Sequence, residues 1–427
     1  MTDRNENRLG YKKTKVGWIP KEWKPTALRE IGVMRSGGTP SKEVASFWKG
    51  NIPWFTAKDL KSFRLKTSQD TITEEGLLKG SRLAPAGSIL ILVRGMTLFR
   101  DLPVGVLDIP AGFNQDIKVI ELLKGFDSLF VGYAITARKE GLKRLVEHAG
   151  HGTGRIDTGL LQDCLFPFPP HIEQKKIAEI LSTWDTAIEQ TRKLIEAKKR
   201  LKKALMQQLL TGKKRLPGFA KSKDRNSYRF FELPTDWKCS RIREIAREYS
   251  ERNAQRDKIT VLSCSKHIGF VESSKYFGKQ IFSADTSKYK IIRRGYFGYP
   301  SNHIEEGSIG LLLNHDIGMV SPIYTVFKCN ENVVPEFLYA LFKTDTYRHI
   351  FAISTNSSVD RRGSLRWRGF SLIQVPNPSK EEQHAIVDVL QAADYEIHQL
   401  NKKLKVLEKQ KRGLMQKLLT GEIRVTA

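Results

Sequence analysis

The sequence predicts an α+β protein with an internal pseudo-twofold repeat: two globular pieces joined by two long antiparallel coiled-coil helices. Three observations predict it. A shift of 209 residues lays positions 167–215 over 376–424 without a gap, and 19 of those 49 positions are identical, which marks a duplicated unit. A shorter echo, at a shift of 214, joins Ile19-Pro20-Lys21-Glu22-Trp23 to Leu233-Pro234-Thr235-Asp236-Trp237. Within the repeated segment, Ile386, Leu390, Ala393, Ile397, Leu400, Leu404, Leu407, Leu414 and Leu418 recur at alternating steps of four and three, broken only by Lys411. That is the spacing of a coiled-coil seam.

Residues 1–165 form the first globular piece. Positions 88–93 and 117–121 are β-branched and Leu-rich runs bounded by Gly and Asp, and 129–146 carries helical periodicity. Residues 166–212 are the first long-helix segment, opening after Pro169-Pro170. The register continues through Ile177, Leu181, Trp184, Ile188 and Ile195, but Thr191, Lys198 and Lys202 occupy seam positions, so its middle is expected to be weaker. Residues 213–230 are a basic, polar linker containing Pro217-Gly218. Residues 231–375 form the second piece, with strands expected at 309–313 and 323–327 and a helix at 335–342 with Pro at its first turn. Residues 376–421 are the second long helix, with Ser379 and Glu382 as a capping box and Gly421 where a left-handed residue would stop it. Residues 422–427 are a tail. About 42 helical residues at about 1.5 Å each make a rod of roughly 60 Å, the length of a spacer. Two copies of one globe-plus-helix unit related by a pseudo-twofold would pair their helices antiparallel. The alternative is two amphipathic helices lying on separate cores.

Lys and Arg number 72 against 46 Asp and Glu, a formal charge of +26, which favours a polyanionic partner. With 40% apolar and 9% aromatic residues the chain can bury ordinary cores. No aliphatic run approaches the roughly 18 residues a membrane span needs, and the polar start at 1–10 lacks the apolar core of a secretion signal, so a cytoplasmic location is expected. Cys164, Cys239, Cys264 and Cys329 are scattered without paired spacing and are read as packing thiols.

Catalytic machinery is absent from the sequence pattern. There is no Gly-x-x-x-x-Gly-Lys-Ser/Thr loop for a nucleotide-driven motor and no Asn/Asp-Pro-Pro-Tyr run for gripping an extruded base. Glu-x-Lys occurs at Glu22, Glu173 and Glu196, but no Pro-Asp dipeptide completes a nuclease metal site. His148 and His151 lack a third ligand at metal spacing. Basic residues do gather in loops: Arg361, Arg362, Arg366 and Arg368 surround Trp367, a pattern suited to phosphate contacts or guanine edges. The alternative is a solvated turn before a helix. Ser36-Gly37-Gly38-Thr39-Pro40-Ser41-Lys42 reads as a flexible loop whose amides could approach a nucleic-acid backbone. Positions 192–215 hold ten Lys and Arg against one acid, Glu196, so this stretch of helix is expected to run beside DNA.

The strings Phe168-Pro169-Pro170-His171-Ile172-Glu173-Gln174, Leu209-Leu210-Thr211-Gly212 with its second copy, Gly17-Trp18-Ile19-Pro20-Lys21-Glu22-Trp23 and Gly37-Gly38-Thr39-Pro40-Ser41 resemble the specificity subunit of type I restriction-modification systems. The resemblance covers nearly the whole chain; Ser379 stands where that family often has a proline. It implies a non-catalytic subunit in which each globular piece is a target-recognition domain reading half of a bipartite DNA site and the helices set the spacing. It also implies partners: double-stranded DNA, two methyltransferase (modification) subunits and motor-nuclease (restriction) subunits, with no membrane. Cofactors are then none in this chain, with S-adenosylmethionine, ATP and Mg expected in the partner subunits. Candidate DNA contacts are Thr39, Ser41, Lys42, Lys58, Arg94, Gln115, His151 and Arg155 in the first piece, and Lys266, Asn302, Arg361, Arg362 and Arg366 in the second. The competing readings are a stand-alone nuclease or recombinase and a coiled-coil DNA-binding regulator.

Overall fold

The computed structural model describes residues 5–149, 152–220, 222–255, 257–266, 268–355 and 364–425. The chain divides into two compact units, Met1–Arg192 with Lys402–Ala427, and Lys193–Asn401. Each unit therefore takes its globular piece, the near part of one long helix and a distant part of the other.

In the first unit a five-stranded sheet runs in the order Gly32–Ser36, Ile117–Leu122, Ile89–Leu92, Val104–Leu107, Arg64–Leu65. Its centre is fully apolar: Ile89, Leu90, Ile91 and Leu92 are all buried, so this strand is covered on both faces. The helix Ser128–Ala137, capped by Asp127 through Phe130 N, packs onto it. A four-stranded sheet pairs Trp48–Phe55 with Asp70–Ile72 and Ala111–Phe113. A three-stranded sheet joins Arg94–Gly95, Thr153–Ile156 and Val146–Ala149. Lys24–Ala27 pairs with Leu165–Phe168 immediately before the long helix.

The second unit repeats the order. Ala246–Glu248, Tyr324–Cys329, Phe297–Pro300 and Gly310–Leu311 form its main sheet, followed in the chain by the helix Pro335–Phe342. Lys238–Arg241 pairs with Gln374–Asn377 before its long helix, as Lys24–Ala27 does in the first unit. The core is aromatic: Phe297, Phe327, Phe342, Phe351 and Phe370 stack on one another. Burial pushes the Cys264 and Cys329 thiols up to about 12, as expected of packing residues.

The long helices run His171–Leu209 and Lys380–Leu419. Gly212 and Gly421, at φ +61° and +70°, follow their ends in the left-handed region. The capping box at the second helix is half made. Ser379 Oγ accepts from Glu382 N at 3.3 Å, but the Glu382 carboxylate turns to Trp237 and Arg215 instead of back to the cap. Pairing is antiparallel in each unit. In the first, Asp185 meets Lys411 and Arg192 meets Glu408; in the second, Lys198 meets Glu396 and Lys202 meets Asp394. The expected weak middle of the first helix is a correction: Ile188, Thr191 and Ile195 are buried, and the Thr191 hydroxyl donates to Ala187 O at 2.7 Å, so this polar residue is satisfied within its own helix. The helix ends complete the cores. Met415, Leu418 and Leu419 join Trp23, Ile177 and Leu181 in the first unit, and Leu209 and Leu210 join Trp237, Ile386 and Leu390 in the second. Among the described residues no helix is long and apolar enough to cross a membrane.

Candidate nucleic-acid interface

Several candidate residues of the first unit meet at one end of its sheets. Thr39 Oγ1 donates to Gln115 Oε1 at 2.7 Å. Next to Gln115, Asp116 O accepts from Val93 N and Arg94 N at 2.8 and 3.3 Å, which brings Arg94 to the same corner. Arg94 is the direct register partner of Arg155. Asn114 N donates to Phe55 O, and the turn that follows Phe55 carries the exposed Lys58. Ser41 and Lys42 are exposed, and Ser41 O accepts from Trp48 Nε1 at 2.9 Å. His151 lies outside the described residues.

The Gly-Gly turn is not a flexible loop. Gly38 N donates to Phe113 O at 2.9 Å, and a Cβ on Gly37 would fall 2.1 Å from Phe113 O and one on Gly38 2.4 Å from Gly80 O. These glycines are required by close approach of the protein's own backbone. Their role is to hold Thr39, Ser41 and Lys42 in place.

In the second unit Leu365 N donates to Ser301 O at 2.7 Å, which sets the exposed Arg366 beside the segment carrying Asn302. Asn302 Oδ1 is buried without a hydrogen-bond partner among the described residues. Lys343 Nζ, which no sequence pattern singled out, donates to Lys266 O at 3.2 Å and Gly307 O at 2.9 Å and so ties Lys266 to the same region. Burial holds this ammonium below the ordinary lysine range. Trp367 is no free base-stacking indole: it packs on Phe327 and Phe370 at 5.6 and 6.1 Å between ring centroids. Arg366 opens the short helix Trp367–Phe370 and Arg368 lies within it, both exposed, while Arg361 and Arg362 lie outside the described residues. His303, Glu305 and Glu306 place their ligand atoms within 4.8 Å of one another, as neighbours of one tight turn.

The basic stretch of the first long helix is largely neutralised by the protein itself. Arg192 pairs with Glu408, Lys198 with Glu396, Lys199 with Glu196, Lys202 with Asp394, Lys203 with Asp345, and Arg215 with Asp236 and Glu382. Six of its ten cations are thus matched by acids, so less of its positive charge faces outward than the sequence count implies.

Residues 20–199 match the family described as the type I restriction modification DNA specificity domain. The MjaIX type I specificity subunit of Methanocaldococcus jannaschii is 24% identical over 437 aligned residues, covering 97% of this chain and 96% of the relative. Along nearly its whole length the chain is similar to type I restriction specificity subunits. The EcoR124I/EcoR124II specificity subunit of Escherichia coli is 38% identical over 167 residues, a match spanning 39% of this chain and 41% of that relative. The S subunit of M. genitalium, a solved structure, shares the fold at a TM-score of 0.53 and 17% identity, over 95% of this chain and 97% of that one.

In this chain the residues shared between the halves build a clasp that its sequence does not foretell. Glu173 accepts from Trp23 Nε1 at 3.1 Å and from Arg424 Nε and Nη2 at 2.8 and 3.0 Å; Arg424 also reaches Glu22. In the second unit Glu382 accepts from Trp237 Nε1 at 2.9 Å and from Arg215 Nε and Nη2 at 2.6 and 2.9 Å; Arg215 also reaches Asp236. The adjoining glutamines act alike. Gln174 accepts from Asp127 N and donates to Pro169 O, while Gln383 accepts from Val334 N and donates to Pro378 O. Each clasp fixes a long helix's start, the segment after the opposite helix's end and an early Trp of the globular piece, Trp23 or Trp237, against one another. The signal was present as two echoes, but at different shifts, and nothing in one dimension says that they meet.

Proposed function

We propose that this chain is the sequence-reading subunit of a type I restriction-modification complex. Each unit would read one half of a bipartite DNA site, with base edges giving sequence and phosphates giving register. Methylation of adenine, cleavage and their cofactors, S-adenosylmethionine, ATP and Mg, would belong to two modification subunits and the restriction subunits. The observation that carries the reading is the contrast inside the repeat. Clasp and helix ends correspond residue for residue and the main-sheet strands follow a like order, while the loops between them do not correspond, as expected of one frame presenting two different reading surfaces. Full-length relatives named as specificity subunits support it, and no comparison favours a stand-alone enzyme or a regulator. Genome-wide mapping of methylated adenines in a host carrying the chain with its modification subunit tests the proposal. The expected result is a split site whose halves differ. A perfect palindrome, or methylation unaffected by deleting this chain, overturns it.

A further inference from the structure

Resting on the DNA-reading assignment above, we propose that Arg94 and Arg155 act as one clamp that closes on a single phosphodiester of the bound DNA. The two are direct register partners in the antiparallel strands Arg94–Gly95 and Thr153–Ile156. That position sets their side chains on one face with Cβ atoms about 5 Å apart. Both are exposed, and neither has an ion-pair partner among the described residues. Glu147 is the direct register partner of Arg155 from its other side, in the strand Val146–Ala149, and so faces Arg155 but not Arg94. Like charges directly opposed across a ladder destabilise it.

The backbone gives the pair no escape. Gly95 sits at φ +139°, a conformation open only to glycine. A Cβ on Gly154 would meet Val146 Cγ1 at 3.0 Å and Leu98 Cβ at 3.1 Å. Leu98 is 1% exposed and anchors the turn into the core, while Ile156 N donates to Val93 O at 2.9 Å. Two guanidiniums are thus held side by side on a firm platform with one carboxylate, Glu147, opposite Arg155 and none opposite Arg94, which leaves one positive charge over, a broken local rule of the kind that marks a place where a ligand completes the structure. An anion accepting from both forks is that completion. Guanine's edge occupies one arginine's fork, whereas two converging forks suit the several oxygens of one phosphate.

The test uses the full chain with the subunits that co-purify with it, a duplex selected from a random pool, and binding titrations across a salt series. The variants are Arg94→Ala, Arg155→Ala, the double variant and Arg94→Glu. Each single alanine should weaken binding roughly tenfold and the double only slightly more. The log-log salt slope of the double should fall by about 0.9, the value for one phosphate. The melting temperature of DNA-free Arg94→Ala should equal or exceed that of the parent, since Arg155 keeps Glu147 opposite it, and Arg94→Glu, which gives Arg155 a carboxylate on its other side, should raise it while abolishing the gain from the clamp. A slope change near 1.8, for two separate phosphates, overturns the clamp. So do unchanged affinity, altered base preference at constant slope, and a lowered melting temperature of Arg94→Ala. A parent complex that selects no duplex overturns the DNA-reading assignment and the clamp with it.

Discussion

At the scale of single residues, the second unit turns on Glu382. It is 2% exposed, with Arg215 side-chain atoms, Trp237 Nε1 and the Ser379 cap converging on it. Removing one partner of a buried ion pair leaves the other charge uncompensated, which costs about 3 to 5 kcal/mol. Asp236 remains for Arg215, so the lower figure is expected. Glu382→Ala should therefore reduce the unfolding free energy of the full chain by about 3 kcal/mol in urea denaturation. A loss below about 1 kcal/mol, the range of an exposed pair, would show that the clasp is decoration. The sequence marked Glu173 and Glu382 as repeated, because identity at a fixed shift needs no geometry. It could not supply their partners, since Trp237 and Arg215 lie 145 and 167 residues away.

Among the elements, the long helices carry a polar pair that the seam pattern misread as a flaw. Lys202 and Lys411 break the apolar series, yet each meets the repeated aspartate of the facing helix, Asp394 and Asp185. The two pairs differ in setting. Lys411 is 14% exposed and lies over the Tyr133 ring at 4.9 Å, and Tyr133 Oη donates to Asp185 at 2.6 Å; burial, then the Asp185 carboxylate, drive the phenol pKa far above its ordinary value. Asp394 is 60% exposed. Asp185→Ala should consequently cost about 2 kcal/mol, and Asp394→Ala less than about 1 kcal/mol. Thermal melts of the two variants compare them directly, and equal losses would contradict the argument. Periodicity was a good guide to the helices, to the strands at Ile89–Leu92 and Ile117–Leu122 and to the helix Pro335–Phe342, where burial repeats with the backbone period. It was a poor guide to the glycine turn and to Trp367, because close packing against residues far along the chain leaves no local pattern.

For the whole molecule, helix length is the quantity to alter. The units divide at Arg192/Lys193 in the first long helix and Asn401/Lys402 in the second. Four residues inserted at both points leave every ion pair named above within its own unit. Insertions beside Gln208 and Lys417 would instead pull Leu209 and Leu418 out of phase with Lys202 and Lys411. The insertion adds about 6 Å per helix and turns the following face by about 40°. On the ruler reading, the half-sites should persist while the unread gap changes by roughly one or two base pairs of about 3.4 Å. A methylome in which the bases read have changed would refute the ruler. Exchanging residues 32–165 for another recognition domain should alter one half-site and leave the gap as it was. The division of the units also bears on synthesis. The first unit's core needs Met415, Leu418 and Leu419, yet 209 residues, positions 193–401, separate its two parts. At roughly 5–20 residues per second, its slot stays open for about 10 to 40 s. Meanwhile Leu205-Met206-Gln207 and Leu209-Leu210-Thr211-Gly212, identical to the matching strings of the awaited segment, have already been synthesised, so the nascent chain carries a ready substitute for its own missing part, and slowing translation through the second half would lengthen the time in which the wrong copy could settle in.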